Sequence, residues 1–216
     1  ASLGAPVNVF SVLGRDEDGI ILTELLKEQR INTDYLISAD SRITTNKMRV
    51  ISRNQQMMRL DSETIHPILE NEERKLIDQV EKYIREQSPQ AIIFEDYNKG
   101  VLTDAVISAV IDLCKQYSVI TAVDPKRKHF FRYKEVDIFK PNLKEAREAL
   151  NLLPDETDLQ FLRDIHRRLK EQLAHRISFI TLSEKGVFYE DEETAAMVGS
   201  HVRNVADVSG AGDTVI

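Results

Sequence analysis

The run Asp207-Val208-Ser209-Gly210-Ala211-Gly212-Asp213-Thr214 is the stretch of this sequence best equipped for chemistry. Small residues let backbone N–H groups come close to a ligand. If a helix follows the turn, its first amides are unpaired and lie at the positive end of the helix dipole. Gly210, Ala211 and Gly212 can then form an anion hole for charge developing on a transferring group. Asp213, at the same turn, can accept a proton from an attacking hydroxyl. Positioning, charge stabilisation, a metal and a base are the parts that phosphoryl transfer needs. The same letters also suit a plain turn with a capping Asp, so the motif needs company.

Three other segments supply it. In Lys140-Pro141-Asn142-Leu143-Lys144-Glu145, Pro-Asn opens a loop after an apolar run and Glu145 falls in the first helical turn. Asn142 and Glu145 have the spacing of a capping box. They also suit magnesium, which takes few direct protein ligands and keeps its waters; the two roles are compatible. Thr181-Leu182-Ser183-Glu184-Lys185-Gly186 closes another apolar run. It is either a strand-to-strand turn or a ligand loop at the carboxyl end of a strand. Glu95-Asp96-Tyr97-Asn98-Lys99-Gly100 again follows a strand and precedes a helix. Asp96 can bind hydroxyls or structure the loop, and Lys99 can reach a phosphate or simply be exposed. Asp124-Pro125-Lys126 sits similarly after an apolar run, without a specific contact assigned to it.

These motifs need strands that end in loops, and the apolar pattern provides them. Strands are expected at 7–12, 91–94, 119–123, 136–139 and 177–182, with further strands and turns over 186–206. Helices are expected at 19–28, 71–87 with Asn71 as N-cap, 103–117, 144–150 and 158–173. Strands that alternate with helices and are continuously apolar argue for an α/β domain with a mainly parallel sheet. The segment 33–61 breaks the alternation, is extended and polar, and carries Lys47, Arg49, Arg53 and Arg59. It reads as a lid of strands, or as an ordinary edge hairpin with a solvated basic face.

Composition narrows the classes. Net charge is −7, so bulk electrostatics favour neither nucleic acid nor an anionic membrane. A phosphorylated ligand would need a local basic cluster, and such clusters occur at 47–59 and 126–128. No apolar run approaches the roughly 20 residues of a membrane helix. Cys114 is the single cysteine, which excludes an internal disulfide and fits a reducing cytoplasm. His66, His129, His166, His175 and His201 lack metal-ligand spacing and suit packing or surface roles. The chain opens on what looks like the end of a helix and stops just after a turn that should start one. Sequence is therefore expected to be missing at both ends.

Taken together, these segments resemble the ribokinase-like (PfkB) family of sugar kinases, and the resemblance covers nearly all 216 residues. It implies a single α/β domain over 1–216, a ribokinase-like three-layer sandwich with a mainly parallel sheet and a small β lid. It implies ATP and Mg²⁺ as cofactors. By the family pattern Asp213 is the catalytic base, and Gly210, Ala211 and Gly212 are the anion hole. Asp207 and Ser209 match positions that in some members hold a monovalent cation such as K⁺. Asn142 and Glu145 match the element that organises magnesium and its waters near the ATP phosphates. Ser183, Glu184 and Gly186 match the nucleotide loop, although the family usually has Gly where this chain has Ser183.

The segments 44–51 and 53–61, with Asp96-Tyr97-Asn98-Lys99-Gly100, are similar to the lid region and loop of heptose-7-phosphate kinases. That similarity implies a phosphosugar acceptor, D-glycero-D-manno-heptose 7-phosphate, phosphorylated on its anomeric hydroxyl in lipopolysaccharide-core precursor synthesis. Arg53, Arg59 and Lys99 would then face the substrate phosphate, and Gln56 and Asp96 its hydroxyls. Other members of the family, acting on fructose, ribose or a nucleoside, remain alternatives, as does a non-catalytic sugar- or nucleotide-binding regulator. The lid strands are a candidate homodimer contact. The resemblance leaves open a fused nucleotidyltransferase domain.

Overall fold

The computed structural model describes residues 4–52, 55–153 and 157–200, with the backbone alone at 55 and 56. The chain divides into two compact units. The first takes in the described residues up to Tyr83 together with Lys99–Val106. The second takes in Ile84–Asn98 and the described residues from Ile107 onward.

The first unit holds three strand pairs. Strand β1 (Val7–Asn8) runs parallel to β3 (Ile31–Asn32), and β2 (Ser11–Gly14) runs parallel to β4 (Leu36–Ala39). The single strand expected at 7–12 is thus broken into two. Helix α1 (Glu17–Glu28) follows β2. Its cap, Asp16, accepts from Gly19 N at 2.8 Å with one oxygen and from Thr44 N at 2.7 Å with the other. The bond from the Thr44 amide is the main reason the Asp16 carboxyl stays below the usual carboxylate range. Phe10, Tyr35 and Tyr83 stack and edge-pack on one another.

The third pair, β5 (Asn46–Ser52) and β6 (Gln55–Ser62), is an antiparallel ribbon. It begins later than the expected 33–61 segment. Leu36–Ala39 belongs to a parallel pair instead, because Ile37 and Ala39 alternate inward and are buried. Helix α2 (Glu70–Gln87) starts one residue before the expected Asn71 cap. Asn71 therefore lies inside the first turn. Glu72 reaches back to accept from Leu69 N at 2.8 Å and does the capping that Asn71 was expected to do.

The second unit is built on a six-stranded sheet in the order β12-β11-β10-β9-β8-β7. Strands β7 (Ala91–Glu95), β8 (Ile120–Asp124), β9 (Ile138–Phe139) and β10 (Ile177–Thr181) are mutually parallel. Strands β11 (Val187–Glu190) and β12 (Ala195–Val198) turn back antiparallel. All the parallel strands therefore end on the same side, where their loops meet. Strand β8 is buried from Thr121 to Asp124, as its continuous apolar run predicts.

Helices α3 (Asp104–Tyr117), α4 (Leu143–Ala149) and α5 (Leu159–Leu173) connect the strands. In α5 the buried set Leu162, Ile165, His166, Leu169 and Leu173 keeps one helical face inward. Between α5 and β10, Ser178 Oγ lies 2.8 Å from His166 Nδ1 and 2.6 Å from His175 Nε2. His175 is fully buried and its Nδ1 has no hydrogen-bond partner. Burial, then the neighbouring His166 and Lys170, pushes its imidazole down to about 3.

The unfolded chain therefore takes up a proton on His175 near pH 6.5, whereas the folded chain does so only near pH 3. Its contribution to stability is complete above about pH 6.5 and falls as the pH drops toward 3. Urea unfolding should show an acid limb steeper by up to about 1.4 kcal/mol per pH unit than that of His175→Gln.

Candidate functional site

The loops at the carboxyl ends of β8, β9 and β10 bring the predicted segments of the second unit side by side. Pro141 O accepts from Thr181 N at 3.2 Å, and Asn142 bridges to Thr181. The segments 140–145 and 181–186 are thus neighbours. Asn142 caps α4 with its side chain accepting from Glu145 N at 2.8 Å, while Glu145 Oε2 accepts from Asn142 N at 2.9 Å. The reciprocal capping box is complete, and it leaves Glu145 Oε1 outside the cap.

That oxygen faces Lys126. The Lys126 ammonium is 2.9 Å from Glu145 Oε1 and 3.1 Å from Asp124 Oδ1. Burial opposes its charge, but the bonds to Glu145 and then Asp124 win and hold it above the ordinary lysine range. Asp124 Oδ2 receives a second ammonium, that of Lys140, at 2.8 Å. Lys140 is 3% exposed, so this is a buried pair whose separation would leave a stranded charge. Sequence reasoning assigned Asp124 and Lys126 no contact. The available signal was an acid-Pro-Lys run at the end of a buried strand.

Ser183, Glu184 and Lys185 form a single 3-10 turn, closed by a bond from Gly186 N to Ser183 O at 3.1 Å. Ser183 has φ +58°, the left-handed region that favours glycine. Ser183 therefore adopts at some strain a backbone that glycine takes up freely. Gly186 has φ +97°, and a Cβ there would lie 2.0 Å from Val198 O, so this position requires glycine. Glu184 is exposed, and its own amide, then the Ser183 hydroxyl, lower its pKa.

Asp96 lies at the end of β7, and its N–H donates to Asp124 O at 3.2 Å. It is only 2% exposed. Oδ1 accepts from Asn98 N at 2.7 Å, and Oδ2 accepts from the Tyr133 hydroxyl at 2.8 Å and lies 3.2 Å from His129 Nδ1. Of the two roles open to Asp96 in the sequence, these contacts are those of the loop-structuring one. Burial, then the Asp96 charge, pushes the Tyr133 phenol up, so it remains a donor. Arg127 and Lys128 line a separate open groove of about 370 Å³ with Phe130, Phe131, Arg132 and Lys134.

In the first unit, the Lys99 ammonium is 2.5 Å from Glu63 Oε2, and Lys47 lies 3.9 Å from the same oxygen. Arg42 donates to the Lys99 carbonyl at 2.5 Å and to the Thr64 carbonyl at 3.3 Å, fixing the backbone there. Arg59 pairs with Asp61 at 3.0 Å. Cross-strand pairing puts Lys47, Arg49, Arg59 and Asp61 on one face of the ribbon. The other face carries Met48, Val50, Met58 and Leu60, all exposed.

Arg53, Asp207, Ser209, Gly210, Ala211, Gly212 and Asp213 lie outside the described residues, and Gln56 is described by its backbone alone. Among the described residues no group of three or more His, Cys, Asp or Glu side chains could hold a metal. Nor is any described helix long and apolar enough to cross a membrane.

Replacing Asp96 by Asn removes the charge that two buried donors converge on. Asp96→Asn should cost on the order of 2 kcal/mol in urea unfolding, and Tyr133→Phe about 1 kcal/mol. In the double variant the two costs should fall short of additive, because one bond is lost in both.

Comparison with known proteins places these features. The family model described as pfkB family carbohydrate kinase matches residues 1–216. A curated relative named Bifunctional protein HldE, from Aliarcobacter butzleri, is 40% identical over 215 residues, which is 100% of this chain and 44% of that protein. The protein of the same name from Campylobacter jejuni is 40% identical over 216 residues, again covering 44% of its length. The chain thus spans less than half the length of these relatives. Among solved structures, the tetrameric inhibited form of phosphofructokinase-2 from Escherichia coli superposes with a TM-score of 0.79 at 17% identity, covering 98% of this chain and 68% of that one. Ribokinase from Giardia lamblia superposes at 0.74 and 18% identity, covering 95% and 62%. These likenesses identify the fold as ribokinase-like, a mostly parallel central sheet with helices on both sides. The match over the whole chain shows that this protein belongs to the pfkB family of carbohydrate kinases.

Proposed function

We propose that this chain is the kinase portion of an ATP-dependent sugar kinase, and that its acceptor is a sugar already carrying a phosphate. The observation that carries the reading is the Asp124–Lys126–Glu145–Asn142 cluster beside the Ser183–Gly186 turn, where the parallel strands end. Ligands of open α/β sheets bind at that edge. Oxygen donors suit magnesium, and Glu145 Oε1 is the carboxylate oxygen the helix cap does not use. Bound magnesium would spread the charge of the nucleotide phosphates.

In this reading Asn142 and Glu145 orient the metal's waters, and the Ser183–Gly186 turn borders the nucleotide with Glu184 at its rim. Asp213 removes the proton of the acceptor hydroxyl. Gly210, Ala211 and Gly212 present amides to the phosphoryl group in flight. Asp207 and Ser209 are the candidate ligands of a monovalent cation such as K⁺. Asp96 holds its loop in shape for the acceptor.

The acceptor we favour is D-glycero-D-manno-heptose 7-phosphate, phosphorylated on its anomeric hydroxyl. Support comes from the lid and loop segments that resemble heptose-7-phosphate kinases, and from the basic face of the ribbon. Arg53, Arg59 and Lys99 are the proposed phosphate contacts, with Gln56 on a sugar hydroxyl. The chain is read as one kinase domain with the ribbon as its lid. The ribbon's exposed apolar face, Met48, Val50, Met58 and Leu60, is the proposed homodimer contact, since a lone two-stranded ribbon is marginal in water.

Two variants test the reading in the full-length protein. Asp213→Asn should keep ATP binding and lose about 10²-fold or more in turnover; a loss of only a few-fold would remove Asp213 as the base. Arg59→Ala should raise KM for the phosphosugar by about tenfold and leave KM for ATP within about twofold. Equal effects on both substrates, or equal turnover of unphosphorylated sugars by the unaltered enzyme, would count against a phosphosugar acceptor.

A further inference from the structure

The two oxygens of Glu145 have different tasks. Oε2 accepts from the Asn142 amide at 2.9 Å and closes the cap. Oε1 accepts from Lys126 Nζ at 2.9 Å. An internal cation therefore stands on the oxygen best placed for an external one.

Lys126 is also the cation in this cluster best able to move. Its side chain is 30% exposed, against 3% for that of Lys140. Asp124 would not be stranded by its departure, because Oδ2 keeps the Lys140 ammonium at 2.8 Å. Glu145, in contrast, has no second cation within ion-pair distance among the described residues. Were Lys126 to leave, Glu145 Oε1 would lose its counter-charge, and a new cation would have to supply it. An ammonium and a divalent cation repel each other strongly at the distances one carboxylate oxygen imposes. Sharing Oε1 between them is therefore costly, although the oxygen has a lone pair for each.

We propose that Lys126 is an exchangeable counter-cation: it neutralises Glu145 in the empty site and must leave for a divalent cation to bind there. A phosphate beside the site gives the released ammonium an anionic partner, so nucleotide and metal bind together and metal alone binds poorly. Lys126 is thus a positioning residue that couples the two ligands. The inference rests on the reading of Glu145 as a magnesium-organising residue.

Mn²⁺ is the probe, with free Mn²⁺ counted by electron paramagnetic resonance in the full-length protein. Lys126→Met should bind Mn²⁺ alone about tenfold or more tightly than the unaltered protein, because the carboxylate is vacated. It should bind a nonhydrolysable ATP analogue without metal about tenfold more weakly. A merely structural lysine would not move the two affinities in opposite directions. A folded Lys126→Met protein whose Mn²⁺ affinity is unchanged or weaker overturns the proposal.

Lys126→Gln, which keeps a donor for both carboxylates without the charge, replaces it if the Met variant does not fold. If neither folds, ¹³C-lysine labelling of the unaltered protein decides. The Lys126 ε-carbon resonance must move when Mg²⁺ and the analogue are added together, and a stationary resonance overturns the proposal. Glu145→Gln separates the underlying assumption. If, with the ATP analogue present, it binds Mn²⁺ as the unaltered protein does, Glu145 is not the metal residue, and both readings fall.

Discussion

Asp124 ends a strand that is buried from Thr121 onward, so its carboxylate has to be paired. Lys140 and Lys126 do the pairing, one ammonium on each oxygen. The rest of the strand-end cluster follows from that requirement. Lys140 must come from the end of β9, which sets where Pro141 and Asn142 begin their loop. Lys126 must come from just past Pro125, which brings it within reach of Glu145. An acid at the end of one strand thereby fixes the position of the loop at the end of the next.

In the proposed function, one residue of the cluster serves the fold and the chemistry together. Asn142 and Glu145 cap α4, and capping is enough to explain their presence. A carboxylate has two oxygens, however, and the cap uses one. The same division occurs at Asp96, where one oxygen shapes the turn to Asn98 and the other gathers Tyr133 and His129. The difference is accessibility. Asp96 is sealed and its bonds are spent within the chain, whereas the lysine that faces Glu145 is partly open to solvent. Sealed carboxylates hold loops; the partly open one can exchange partners.

The ribbon of the first unit obeys a different constraint. Alternation sends charge to one face and apolar side chains to the other. Two strands bury neither face by themselves, so the apolar face stays exposed on the described chain. Opposite it, Glu63 and Asp61 hold Lys47, Lys99 and Arg59 near one another. Acids of this kind keep a basic cluster from flying apart by repulsion while leaving its net sign positive.

Much of this was legible in the sequence, because strand and helix periods are local properties of the chain. The continuous apolar runs at β7, β8 and β10, the amphipathic face of α5 and the Asn142–Glu145 spacing each announce their structure. Where local reading failed, a distant partner had decided. Leu36–Ala39 left the ribbon because β2 offered it a buried parallel partner, and Asn71 lost its cap because Glu72 could reach Leu69. The sequence also carried the motif that ends in Asp213, and with it family membership. Only the tertiary structure decided that Lys126 stands on Glu145 and that Asp96 is sealed beneath Tyr133. An ion pair between residues on neighbouring loops depends on strand order, and strand order is not written in any local pattern.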